Sequence, residues 1–117
     1  KLDASKLHVW PRRDLMLILL PNVDGTFSGT LFMPADKFKD ILGCPKRLLD
    51  FFHSTFTDLV PLVGSEYLVQ HFTGSGKTRP GYLVSNKVRP YHSKGRMVLV
   101  GDAAHAVVPF YGQGMNA

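Results

Sequence analysis

Leu15-Met16-Leu17-Ile18-Leu19-Leu20, followed by Pro21-Asn22-Val23-Asp24-Gly25, is the stretch on which the fold turns. The run is apolar at odd and even positions alike, and it is strand-sized. A strand with one solvated face alternates, so this one is predicted to be covered on both faces. Pro21–Gly25 is dense in turn residues. Beyond it, Thr26–Met33 alternates and is rich in Thr and Phe, which predicts a second strand. Upstream, Leu7-His8-Val9-Trp10 reads as a strand ended by Pro11. The three segments predict an antiparallel meander containing one hairpin.

Pro34 changes the period. Asp36 through Leu42 places Phe38, Ile41 and Leu42 on one helical face, with Gly43 where a C-terminal cap belongs. Pro45 begins a second helix whose apolar stripe is Leu48, Phe51, Phe52 and Phe56. Asp58 is placed to cap a short third turn through Leu62, ended by Gly64. Glu66–Phe72 fits either strand or helix. Thr73–Gly81, with three Gly, a Ser and a Pro, reads as a loop, and Leu83–Tyr91 as another strand. The predicted class is α+β. An antiparallel or mixed sheet with flanking helices occupies residues 1–95, and a strand and turn of a second domain occupy 96–117.

With 117 residues, 44% hydrophobic and 20% charged, the chain has the make-up of a globular protein with one core. No run approaches the roughly 20 apolar residues of a membrane-spanning helix, and no signal peptide is visible. Any membrane attachment is expected through regions outside this chain, which reads as a fragment stopping inside a motif. Cys44 is alone, which excludes an intramolecular disulfide, and the five His have no zinc-ligand spacing. The formal charge is +5, but Lys and Arg are scattered. That pattern predicts a solvated surface mildly attractive to anions rather than a nucleic-acid-binding face.

Chemistry concentrates at the end of the chain. Met97-Val98-Leu99-Val100 reads as a short buried strand, closed by Gly101-Asp102, and Gly112-Gln113-Gly114 opens what reads as a helix start. In open sheets, ligands bind beyond the carboxyl ends of strands, where Asp102 would sit. A carboxylate there accepts hydrogen bonds from sugar-like hydroxyls. Gly112 and Gly114 let backbone approach a ligand closely, and the free N–H groups of a following helix favour an electron-rich group. His105 and Trp10 read as packing residues. No Ser–His–Asp set, paired carboxylates or phosphate-binding P-loop emerges, so no catalytic side chain and no metal ligand is assigned.

Gly101-Asp102-Ala103-Ala104-His105, Pro109 and Gly112-Gln113-Gly114-Met115-Asn116 together resemble the second FAD fingerprint of the aromatic-ring hydroxylase family of flavoprotein monooxygenases. Leu7–Arg12, Leu20-Pro21-Asn22 and Thr30–Pro34 resemble the substrate domain of the same family. The resemblance implies FAD as cofactor, with Asp102 on its ribityl or neighbouring polar part. Gly112, Gln113, Gly114, Met115 and Asn116 would also contact the flavin, the last two through their backbone. Leu7, Met16, Ile18, Leu20, Phe32, Pro109, Phe110 and Gln113 would line the aromatic pocket. It further implies that NADPH reduces the flavin and that oxygen supplies the atom inserted at the 3-position of L-kynurenine's ring. Location would be the mitochondrial outer membrane in a eukaryote and the cytoplasm in a bacterium. The alternatives are another ring hydroxylase of the superfamily and a non-enzymatic basic binding module.

Overall fold

The computed structural model describes residues 2–73 and 80–116. They form two compact units, Lys1–Arg79 and Pro80–Ala117. The class is α+β, as the sequence patterns predict.

In the first unit, β1 (His8–Arg12), β2 (Leu15–Pro21) and β3 (Phe27–Phe32) form an antiparallel sheet in that order. Trp10 pairs with Leu17, and Leu17 with Leu31. The meander contains two hairpins rather than one. The extra turn is Arg13-Asp14, where Arg13 takes φ 56. A left-handed conformation at a non-glycine residue costs about 1–2 kcal/mol, so no turn chemistry in the sequence announces it.

Helices α1 (Ala35–Leu42), α2 (Pro45–Thr55), α3 (Val60–Val63) and α4 (Ser65–Thr73) follow. Leu48, Phe52 and Phe56 recur at the four-residue spacing that keeps side chains on one side of a helix. They bury fully with Leu59, Val60 and Leu68 against the odd-numbered face of β2, Leu15, Leu17 and Leu19. The ring of Phe52 lies 5.8 Å from that of Phe56 and 5.4 Å from that of Phe72. Contact with this core settles Glu66–Phe72 as helix. Close packing also explains Gly29: a Cβ there would meet Leu19 Cδ2 at 3.0 Å.

Burial along β2 alternates, contrary to the expectation of two covered faces. The helices gather on the odd face only, leaving Met16 and Ile18 half-buried and Leu20 exposed. Asp58 is likewise not a helix cap; Leu59 holds that position in α3. The Asp58 carboxylate instead accepts from Trp10 Nε1 at 2.7 Å and Arg12 Nη2 at 3.2 Å. Arg12 Nε also donates to the Thr55 carbonyl at 3.0 Å, so β1 is latched to the end of α2.

In the second unit, β4 (His92–Ser93) and β5 (Met97–Val98) form a two-stranded ladder, followed by α5 (Asp102–His105) and a 3₁₀ turn at Pro109–Tyr111. The strand expected over Leu83–Tyr91 is absent, and only its neighbours His92–Ser93 pair. Alternating apolar residues give propensity, but a strand needs an edge. Here the Asn86 N–H is taken by the Ala106 carbonyl at 3.1 Å, and Pro90 has no N–H to give. Met97–Val100 pairs only at its first two residues, with one further bond from Leu99 N to the Tyr91 carbonyl at 2.7 Å, and it is exposed. The helix start expected at Gly112–Gly114 is a turn among the described residues, closed by Asn116 N to the Gln113 carbonyl at 2.9 Å. Two glycines in three positions disfavour helix propagation. Of the expected loop Thr73–Gly81, residues 74–79 lie outside the described residues.

Candidate cofactor site

The second unit turns on Gly101. Its φ of 61 and ψ of −146 form a backbone combination that side chains with a Cβ avoid. That turn takes the chain from the β5 ladder directly into α5, with Asp102 as the first helical residue. The Ala104 and His105 N–H groups close back onto the Gly101 carbonyl at 2.9 and 3.0 Å. Ala104 is 2% exposed and is the buried side chain of this turn.

Four residues of helix are too few to hold themselves in water. The missing support comes from Asn86, a residue that the sequence reading did not single out. Its Nδ2 donates to the Asp102 carbonyl at 3.1 Å, and its Oδ1 accepts from the Ala106 N–H at 2.7 Å. Ala106 N also bonds the Asp102 carbonyl at 3.1 Å, so one side-chain amide spans both ends of a single helical hydrogen bond. The only sequence sign of this would have been an amide residue upstream of the fingerprint, which is too common to flag.

The Asp102 carboxylate, unlike its carbonyl, is exposed and has no hydrogen-bond partner among the described residues. Gly112 sits in the left-handed region at φ 61 and ψ 25, directly after the 3₁₀ turn. A Cβ built on Gly101, Gly112 or Gly114 would meet nothing within 4 Å. An unengaged acceptor, with uncrowded glycine backbone near it in sequence, fits a ligand carrying hydroxyls and a flat polar ring, as FAD does. Met115 is 98% exposed, and Gln113, Asn116, Pro109 and Phe110 are exposed too. His105 is packed, but its buried Nδ1 has no hydrogen-bond partner among the described residues.

The residues expected to line the substrate side fall in both units. In the first, Met16 pairs with Phe32, Ile18 with Thr30 and Leu20 with Ser28, so Met16, Ile18, Leu20 and Phe32 share the even face of the sheet. Leu7, just ahead of β1, is exposed. This apolar face carries none of the core residues. An open cleft of about 540 Å³ lies elsewhere in the unit, lined by Arg12, Arg13, Asp14, Leu15, Ser54, Thr55 and Thr57, and contains no expected site residue.

Residues 65–117 match the family described as FAD binding domain. Over its whole length the chain is 50% identical to kynurenine 3-monooxygenase of Drosophila willistoni and 49% identical to that of Drosophila melanogaster. Over 99% of its length it is 43% identical to kynurenine 3-monooxygenase of Sus scrofa. The chain spans about a quarter of each relative's length, 25%, 24% and 24% respectively. The likeness to kynurenine 3-monooxygenases therefore extends across both units and is not confined to the glycine-rich fingerprint.

Proposed function

We propose that this chain is part of an NADPH- and FAD-dependent monooxygenase that hydroxylates L-kynurenine to 3-hydroxykynurenine. The observation that carries the reading is the Asp102 turn: an unengaged carboxylate with open glycine backbone near it in sequence, inside a segment matching an FAD binding domain. Asp102 would accept hydrogen bonds from the ribityl hydroxyls or their polar neighbours. Gly112 and Gly114 would leave room for the ring system, and the backbone of Gln113, Met115 and Asn116 would meet its polar edge. When bound, FAD supplies the redox chemistry, taking electrons from NADPH and delivering one atom of oxygen to the aromatic ring.

Substrate handling falls to apolar surface. Met16, Ile18, Leu20 and Phe32 present a face suited to one side of an aromatic ring, with Leu7 at its margin, and Pro109 and Phe110 bring apolar surface close to the flavin motif. Such surfaces keep water from the reacting centre, where it would divert oxygen chemistry to peroxide. By the same reading, residues 1–95 belong to the substrate domain and 96–117 to the FAD domain. A eukaryotic enzyme of this kind would sit at the mitochondrial outer membrane, held by segments outside this chain.

The test is a substrate panel on the full-length enzyme, scored by NADPH oxidation coupled to hydroxylated product. L-Kynurenine should give 3-hydroxykynurenine with tight coupling, while hydroxybenzoates and phenols should give little product. Preferential hydroxylation of another aromatic would reassign the substrate. No flavin-dependent turnover, together with salt-sensitive binding to DNA or anionic vesicles, would replace the enzyme reading with a basic binding module.

A further inference from the structure

We infer that Asn86 is a positioning residue for the cofactor: its side-chain amide fixes the turn that presents the Asp102 carboxylate. The inference rests on the FAD reading above and adds a residue that lies 16 positions upstream of Asp102.

The turn depends on local support. A single helical turn of four residues leaves most of its backbone groups without helical partners, and its nucleation is unfavourable without outside contacts. Gly101, ahead of it, contributes no side-chain cap. The unit around it buries little beyond Ala104, so packing gives the turn only one small side chain of support. What remains is a three-bond clamp between Asn86 and the turn: backbone N–H to the Ala106 carbonyl at 3.1 Å, Oδ1 from the Ala106 N–H at 2.7 Å, and Nδ2 to the Asp102 carbonyl at 3.1 Å. Two of the three come from the side chain. They require one donor and one acceptor at amide spacing, which Asn supplies and which neither an apolar residue nor a carboxylate reproduces. The Nδ2 bond holds the main chain of Asp102 itself. Its loss leaves the carboxylate intact but free to leave the position from which it meets a hydroxyl chain. Asn86 thus acts through Asp102.

The experiment uses the full-length enzyme, stripped of flavin and retitrated with FAD by fluorescence quenching, in three variants. Asn86→Ala removes both side-chain bonds and should weaken FAD by about tenfold, the equivalent of one to two net hydrogen bonds. Asn86→Asp keeps the shape and the acceptor for Ala106 N–H, removes the donor to Asp102, and should also weaken FAD measurably. Asp102→Ala is the reference for losing the carboxylate. At saturating FAD, the visible circular dichroism of the bound flavin should change in both Asn86 variants, while the melting midpoint of the flavin-free protein stays near wild type. Wild-type FAD affinity and dichroism in both Asn86 variants, with Asp102→Ala impaired, would overturn the inference alone. A drop in affinity matched by an equal drop in apoprotein stability would reduce Asn86 to a folding role and overturn it too. Should the alanine variant not fold, Asn86→Asp decides alone, a wild-type constant counting against the inference. If Asp102→Ala itself binds FAD normally, the functional reading and the inference fall together.

Discussion

The two units hold their shape by different means. The first is organised around a packed core: Phe52 and Phe56 are fully buried, Leu48 is 1% exposed, and three leucines of β2 close the other side. In the second, Ala104 is the buried hydrophobic residue among those described, while Met97, Val98 and Val100 are 68%, 67% and 73% exposed. Its order comes from local devices: the Gly101 turn, the Asn86 clamp and a two-residue ladder. A core resists perturbation collectively, whereas a hydrogen-bonded turn is only as firm as its few bonds. The candidate cofactor site is thus built by short-range geometry, whereas the apolar face proposed for the substrate side is built on a core.

The difference is open to direct attack. Phe52→Ala should remove about 3–5 kcal/mol from the stability of the first unit, the usual cost of deleting a buried aromatic. Denaturant unfolding followed through Trp10, the only tryptophan and a member of that unit, reads it directly. A loss below about 1 kcal/mol would show that the core is not what holds the unit. Asp58→Ala should cost about 1 kcal/mol by leaving Trp10 Nε1 without its partner, and should red-shift Trp10 emission as the latch opens.

A smaller effect is expected at the β2–β3 turn. Hydrogen bonds from the Thr26 hydroxyl and Thr26 N–H hold the Asp24 carboxyl below the usual carboxylate range. A carboxyl depressed in the folded state stabilises above its unfolded pKa, and that contribution disappears as pH falls through the lowered value. The Thr26 amide resonance should therefore titrate at a lower pH than a carboxylate in an unstructured peptide; the same or a higher midpoint would contradict the bond. Least of all should come from Val98→Asp, which is expected to change the unfolding of this chain by under about 0.5 kcal/mol because the site is already solvated. A large loss there would mean that the second unit has a core of its own.

The sequence carried the first unit well because its signals are periodic. Leu48, Phe52 and Phe56 announce a buried helical stripe, and the Thr- and Phe-rich alternation announces β3. It misjudged Leu15–Leu20 because an all-apolar strand states that both faces avoid water without stating what covers the second. The Arg13-Asp14 turn was missed and Asp58 misread for a related reason: a left-handed Arg and a long-range Trp10–Asp58 bond depend on tertiary context that no local window contains. In the second unit, Leu83–Tyr91 has strand composition without a ladder partner, and Gly112–Gly114 has a helix-start motif without a helix among the described residues. The motif itself stood out because its glycines and acid lie at the spacing of the fingerprint it resembles. Asn86 did not, since an isolated amide gains meaning only once Ala106 is beside it.

Hydrogen exchange of the full-length protein with and without FAD reads the backbone amides of both units region by region. Adding FAD should slow exchange over 101–106 and 112–116 while leaving β2 and α2, already protected by their core, unchanged. Unaltered exchange across 101–116 upon flavin binding, with new protection arising only elsewhere, would contradict the account.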